Sequence, residues 1–323
     1  MLRFLLLFPF LLASSLYGQS LFDRLVADGD TVRLTLDTEW RKMVRNKAKK
    51  AYQVLRLTVD TQEKQFTFPG KIRTRGNVRL QVCDNPSLKI KLNKDSLVAA
   101  GFSSVNDLKL VLQCSNSELG LSYLRREQLA YQLYEVYSEH YHRTVPVVLT
   151  IAGAPDVHAF LVEEEEQLSA RYGQVVEPER ASTRGMNRRA YVNLCLFNFL
   201  ILNTDWQIFN RHNVELVADS ISGRLIPIPY DFDYSGFVST SYAIPLEVLN
   251  IASVHVPKWK GRNVTEEELL RGAAHFLARA DTVRTMIEKY PNLRPYARKR
   301  LLRRLAAFHE ILADEEQLLK LLE

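Results

Sequence analysis

The chain has 323 residues, 46% hydrophobic and 25% charged, the balance of a folded globular protein rather than a disordered, collagen-like or multi-span membrane one. A formal net charge of +6, spread along the chain, admits a phosphate-bearing ligand but lacks the concentrated basic face of a nucleic-acid binder. Three cysteines are too few for a disulfide scaffold and form no Cys-x-x-Cys zinc pattern.

The first residues, MLRFLLLFPFLLASSLYGQS, set Arg3 ahead of an apolar run too short to span a bilayer, with small residues around Ser14, Ser15 and Gly18. They predict a signal peptide over 1–18, cleaved near Gly18; a buried first helix or an anchor is the competing reading. No cysteine follows to carry a lipid, and no later stretch reaches the ~18 apolar residues of a membrane helix. The expectation is an exported protein, periplasmic or extracellular, with no transmembrane segment in the mature chain. Disulfides are permitted there.

From residue 54 to 112 apolar residues tend to alternate, which predicts strands over 54–59, 71–75, 88–92 and 108–112. A helix follows over 121–137, where Ala130, Leu133, Tyr134 and Tyr137 share a face. Strands near 145–151 and 157–162 complete a strand-rich first half with one helix. The second half reads as mostly helical. Val192, Cys195, Leu196 and Phe199 mark one helix over 191–202, and 214–217 with 225–228 form a hairpin around Ser222-Gly223. Thr265 and Glu268 fit a capping box. Leu301, Leu305, Phe308 and Leu312 mark a last helix, whose Arg298, Arg300, Arg303 and Arg304 read as solvated surface. The boundary between halves is placed within 164–184, giving a first lobe over 19–165 and a second over 166–323.

Chemistry concentrates between residues 203 and 236. Asn203-Thr204-Asp205-Trp206 follows an apolar helix, Asn210-Arg211-His212-Asn213 precedes a strand, and Pro229-Tyr230-Asp231-Phe232-Asp233 follows a hairpin. Asp231 and Asp233 point to one side of an extended chain. Such carboxylates and amides are hard oxygen ligands suited to Mg²⁺. Phosphoryl transfer needs this set: one carboxylate for the attacking hydroxyl, an Asn and an Asp for metal on the phosphates. Asn210 lies five and Asn213 eight residues after Asp205; Asn213 is preferred because it abuts a strand. His212 reads as a hydrogen-bonded structural histidine, and Trp206 and Phe209 as packing residues. As isolated loop residues, the same Asp and Asn would cap helices or make turns.

At these residues the sequence resembles the secreted CotH-kinase-like family, over nearly the whole mature chain. The resemblance also rests on Arg73-Thr74-Arg75-Gly76-Asn77, Leu88-Lys89-Ile90-Lys91-Leu92, Leu124-Arg125-Arg126-Glu127-Gln128-Leu129-Ala130-Tyr131 and Phe160-Leu161-Val162-Glu163. It implies an α+β, two-lobed protein-kinase-like fold, with ATP in the cleft and Mg²⁺ on its phosphates. Asp205 would be the catalytic residue, and Asn213 and Asp231 the metal ligands, with Asp233 supporting the metal or the loop. The phosphate-binding lysine stays open. Lys109 fits the usual Lys–Glu order with Glu127, whereas Lys89 and Lys91 match the family's Lys-rich strand. Arg75 would meet phosphate, and the backbone at Glu163 adenine. The chain departs from kinases in lacking Gly-x-Gly-x-x-Gly and His-Arg-Asp.

Cys83 and Cys114 are candidates for a disulfide, and Cys195, on an apolar helix, for a buried thiol. No Gly-x-Ser-x-Gly, His-Glu-x-x-His or Walker sequence occurs. The leading expectation is an exported ATP- and Mg²⁺-dependent enzyme phosphorylating an unknown protein or envelope acceptor. A non-catalytic binding or scaffold protein, and a metal-dependent enzyme on another phosphorylated substrate, remain alternatives. The basic Lys258-Trp259-Lys260-Gly261-Arg262 segment reads as a plain loop or a contact for an acidic or sugar partner.

Overall fold

A computed structural model describes residues 18–323; apart from Gly18, the expected signal peptide falls outside them. The chain opens with α1 (Leu21–Asp28), where Ser20 and Asp23 form a reciprocal capping box. Next come β1 (Val32–Asp37), α2 (Trp40–Arg45), β2 (Gln53–Asp60) and β3 (Gln65–Arg75). The five-residue α3 (Val78–Val82) leads to β4 (Ser87–Leu92), and α4 (Lys94–Ala99) to β5 (Asp107–Leu112). The long α5 (Glu118–Tyr137) precedes β6 (Thr144–Ile151) and β7 (Val157–Val162). Then follow α6 (Glu165–Tyr172), α7 (Arg188–Leu200) and a separate hairpin of β8 (Val214–Ala218) and β9 (Leu225–Pro229). The chain ends with α8 (Glu266–Leu277), α9 (Ala280–Lys289), α10 (Pro295–Ala313) and α11 (Glu315–Leu319). The capping box expected at Thr265 and Glu268 is present at the start of α8.

Seven strands close into a barrel in the order β1-β2-β3-β4-β5-β7-β6. Six neighbouring pairs are antiparallel, and β1 closes the ring by running parallel to β6, with Leu34 opposite both Val59 and Leu149. Successive side chains in a strand face opposite ways. Leu55, Leu57 and Val59 on β2, Leu88, Ile90 and Leu92 on β4, and Leu108, Leu110 and Leu112 on β5 therefore fill the interior. Each such side chain contributes roughly 1.5–3 kcal/mol on burial. The same period turns Lys71, Arg73 and Arg75, Lys89 and Lys91, and Lys109 and Val111 outward.

A second core joins the barrel to the helices. Val111, Phe160 and Val162 on the outer barrel face pack with residues of α5, α7, α8 and α10. Tyr131 of α5 lies edge-on to Phe160 and Phe232, with ring centroids 5.8 and 4.7 Å away.

These observations overturn the expected two-lobed kinase arrangement. The first half is a closed mixed barrel, and it carries α1 to α5 rather than one helix. The unread strand β1 makes the difference, because it bonds both β2 and β6 and leaves the ring no gap. Of the extra helices, α2, α3 and α4 have six residues or fewer, too short to show a 3.6-residue period, whereas α1 buries Leu21, Phe22 and Leu25 on one face. The basic face of α10 is corrected at Arg300 and Arg304, whereas Arg303 is exposed. Arg300 donates to the carbonyls of Gly236 and Phe237 (2.6 and 2.8 Å), and Arg304 to those of Leu200 and Phe199. Phe199 and Leu200 end α7, where carbonyls run short of partners within the helix, and Arg304 supplies donors there.

Cys83 and Cys114 form a disulfide across a separation of 31 residues, and Cys195 is a buried free thiol. Burial pushes the Cys195 thiol up to about 12, so it stays protonated. No helix among the described residues is long and apolar enough to cross a membrane.

Candidate functional site

The seam between barrel and helices holds a small polar recess. Its walls include Arg75 and Lys109 from the barrel, Glu127 and Tyr131 from α5, Glu215 from β8, and Asp231 after β9. Its volume is about 20 Å³, room for one ion or one water.

The barrel supplies cations. Lys109 Nζ lies 3.0 Å from Glu164 and 3.8 Å from Glu215. Lys89 faces Lys109 in register, but its ammonium pairs with Asp107 at 2.9 Å, as does that of Lys91 at 3.4 Å. Of the three candidate lysines, only Lys109 lines the recess. Arg75 also lines it and has no carboxylate partner among the described residues.

Glu127 is buried and pairs with Arg79 at 3.0 Å, not with Lys109. Arg79 sits on α3, which the sequence reading missed, and it also donates to the Leu112 carbonyl. Arg79 lies 3.8 Å from Asp233 as well. Burial pushes the Glu127 carboxyl up to about 7; the Arg79 guanidinium opposes the shift and Asp231 adds to it. Burial pushes Asp233 well up too, reinforced by Asp231 and Glu127.

Asp231 and Asp233 do not share a side. Asp231 has φ +60°, a left-handed conformation rare for residues with a side chain, so the alternation of an extended chain breaks there. The Asp231 amide donates to the Tyr131 hydroxyl at 2.8 Å, which pins the turn. Asp231 then lines the recess, and among the described residues its carboxylate has no hydrogen-bond or ion-pair partner. Asp233 turns into the protein, where the Tyr242 hydroxyl donates to it at 2.9 Å. Phe232 is buried between them against Tyr131 and Phe197.

Asp205 is built by a chain of amides. The Asn203 side chain donates to Asn198 and accepts from the Asp205 amide. Lys260 then donates to the carbonyls of Thr204 and Trp206, both at 2.6 Å, on either side of Asp205. Burial brings the Lys260 ammonium down to about 8, since it has no carboxylate partner among the described residues. The basic loop of the sequence reading is thus a clamp on Asp205. One Asp205 oxygen accepts from Asn213 Nδ2 at 3.0 Å, and the other meets His212 Nε2 at 2.8 Å. That contact raises the His212 imidazole above its ordinary value. Asn213 also has positive φ, +53°, and its carbonyl accepts from the Tyr230 amide at 3.1 Å. That bond places Asn213 one residue from Asp231. Asn210 instead accepts from the His212 amide, on the exposed side of the loop.

Glu163 is fully buried and lies between Arg143 and Arg171. Its amide donates to the Arg143 carbonyl at 3.0 Å, and its own carbonyl meets His142 Nδ1 at 3.2 Å. The Glu163 amide is thus occupied within the barrel, its carbonyl keeps a second lone pair, and the residue lines the recess. Burial brings His142 down to about 4, which keeps it neutral.

The donor set fits one small hard cation better than a multi-carboxylate metal centre. Asp231 offers an unpartnered carboxylate and Asn213 an amide oxygen, the ligand types Mg²⁺ takes alongside phosphate oxygens. Asp233 is committed to Tyr242. Among the described residues, no group of three or more His, Cys, Asp or Glu side chains is placed to hold a metal without phosphate.

No family model matches the chain, and no curated protein matches its sequence. Among solved structures, it is similar to the Helicobacter pylori proinflammatory kinase CtkA, at 11% sequence identity and a TM-score of 0.41. The match covers 77% of this chain and 95% of that one.

Proposed function

We propose that this chain is an exported kinase-like phosphotransferase, a branch of the CotH-kinase-like group, that moves the γ-phosphoryl group of ATP to a protein hydroxyl. The observation that carries the reading is one recess where Arg75 and Lys109 from the barrel meet the unpartnered Asp231, beside the Asp205–Asn213 pair. Export is supported by the N-terminal apolar run and by the Cys83–Cys114 disulfide.

Asp205 accepts the proton of the acceptor hydroxyl as that oxygen bonds to the γ-phosphorus and the bond to the β–γ bridging oxygen breaks. His212 and Asn213 fix the Asp205 carboxylate for that role, and Lys260 fixes its backbone. Asn213 and Asp231 would hold Mg²⁺, which when bound neutralises charge on the transferred group. Arg75 and Lys109 offer positive charge to the remaining phosphate oxygens. About 20 Å³ is too small for a nucleotide, so binding requires Lys109 to leave Glu164 and Glu215.

The test is transfer from γ-labelled ATP with Mg²⁺ to a protein acceptor. Asp205→Asn and Asp231→Asn should each lower transfer per folded molecule by at least about 100-fold. Absence of transfer, together with no Mg²⁺-dependent melting shift on adding ATP, would overturn the proposal. The satisfied Lys109 and Glu127 pairs favour a second reading, a non-catalytic binding protein, in which both substitutions leave function intact.

A further inference from the structure

A groove of about 680 Å³ runs beside the Asp205 loop and has no part in the phosphate chemistry above. Trp206 and Gln207, which follow Asp205 directly, are part of its lining. Its floor includes the buried Ile208, and its rim exposes Phe209, Leu246 and Val248 at 51%, 49% and 86%. Isolated exposed apolar residues are ordinary, but three around one hollow form a patch. The charges in the groove have one sign. Arg180, Lys260 and Arg262 line it, and no Asp or Glu does. Arg180 lies over the Phe209 ring at 5.5 Å, and neither Arg180 nor Arg262 has a carboxylate partner among the described residues.

We propose that this groove seats the acceptor: an extended peptide segment with acidic side chains beside an apolar one, its hydroxyl residue directed to Asp205. The inference rests on the phosphotransferase reading, because Asp205 is what gives the groove a direction. Charge complementarity selects the occupant, since carboxylates would supply the partners that Arg180 and Arg262 lack. The concavity suits one segment rather than a flat lipid surface. Apolar side chains meeting Phe209, Leu246 and Val248 would anchor the register.

Binding is measured without catalysis, by fluorescence anisotropy of labelled synthetic peptides on the purified protein at low salt. One peptide places Ser among Glu and Leu, a second replaces Glu by Lys, and a third replaces Leu by Gly. The acidic apolar peptide should bind at least about tenfold tighter than either other. Arg180→Glu with Arg262→Glu should erase the charge preference, and Val248→Asp, at a freely exposed position, the apolar one. A circular dichroism melt of each variant separates lost binding from lost fold. Equal binding of all three peptides, no binding, or variants that bind like the parent would overturn the groove assignment. So would preference for anionic phosphatidylglycerol vesicles over every peptide, reversed by the same variants. Selective binding without label transfer from ATP would leave the groove standing and sink the phosphotransferase reading. Transfer to all peptides alike would do the opposite.

Discussion

Glu163 and Glu127 are both buried carboxylates at the seam, at 0% and 2% exposure, yet their surroundings differ. Glu163 has two guanidiniums, from Arg143 and Arg171, and both its backbone groups are bonded. Glu127 has one, Arg79, which also lies near Asp233, and it shares its surroundings with the negative Asp231. A buried charge with surplus opposite charge is a fixed joint. One short of opposite charge is poised to change state, which is common where chemistry happens.

The sharpest way to break this comparison is Glu163→Gln. It removes the carboxylate that holds both Arg143 and Arg171, and should cost about 5 kcal/mol in urea unfolding. Phosphoryl transfer per folded molecule should hold steady; if transfer falls while stability holds, Glu163 belongs to the chemistry. Cys83→Ser comes next in size, at about 3–4 kcal/mol for opening a loop of this length, seen as a lowered urea midpoint. Cys83 directly follows α3, so the variant should also loosen Arg79 from Glu127. Reduction of the parent protein should reproduce the effect.

A smaller effect, and the one that sharpens the contrast most, is the pH profile of Glu127→Gln. In the parent the carboxyl holds its proton up to about 7 when folded, but releases it near the ordinary value when unfolded. The folded state therefore binds more protons across that window, and stability falls as pH rises through it, by roughly 3 kcal/mol. Glu127→Gln should flatten this slope in urea titrations between pH 4.5 and 7.5; an unchanged slope would place the titration elsewhere. His212→Gln should have the smallest effect. The His212 value is raised, so its contribution is present below the ordinary imidazole value and disappears as pH rises through the folded one. The variant's deficit in melting temperature should then appear at pH 6 and vanish by pH 8.5.

Local pattern carried much of this architecture. Alternation in Leu88-Lys89-Ile90-Lys91-Leu92 set both a strand and its outward lysines, and Thr265 with Glu268 marked the start of α8. Alternation does not name a strand's partner, so closure through β1 and β6 stayed invisible, although Val32-Arg33-Leu34-Thr35-Leu36 alternates plainly. Asp205 and Asn213 were legible as a pair because the strand after Asn213 fixes it. The division between Asp231 and Asp233 was not, because the positive φ at Asp231 is imposed by Tyr131, a hundred residues earlier. Arg79 carried no signal, since it sits in a helix of five residues, and Lys260 stood out only as part of a basic loop, whose carbonyl partners only the fold brings near.

The closing pair of the barrel also sets an order of events. Val32 bonds across to Val147, so the first strand waits while β2 to β5 and α5 are laid down between them. Loop closure over such a span is slow compared with hairpin formation. Until then β1 and β6 present unpaired edges of the kind that bind one another between molecules. Refolding yield should therefore fall with protein concentration.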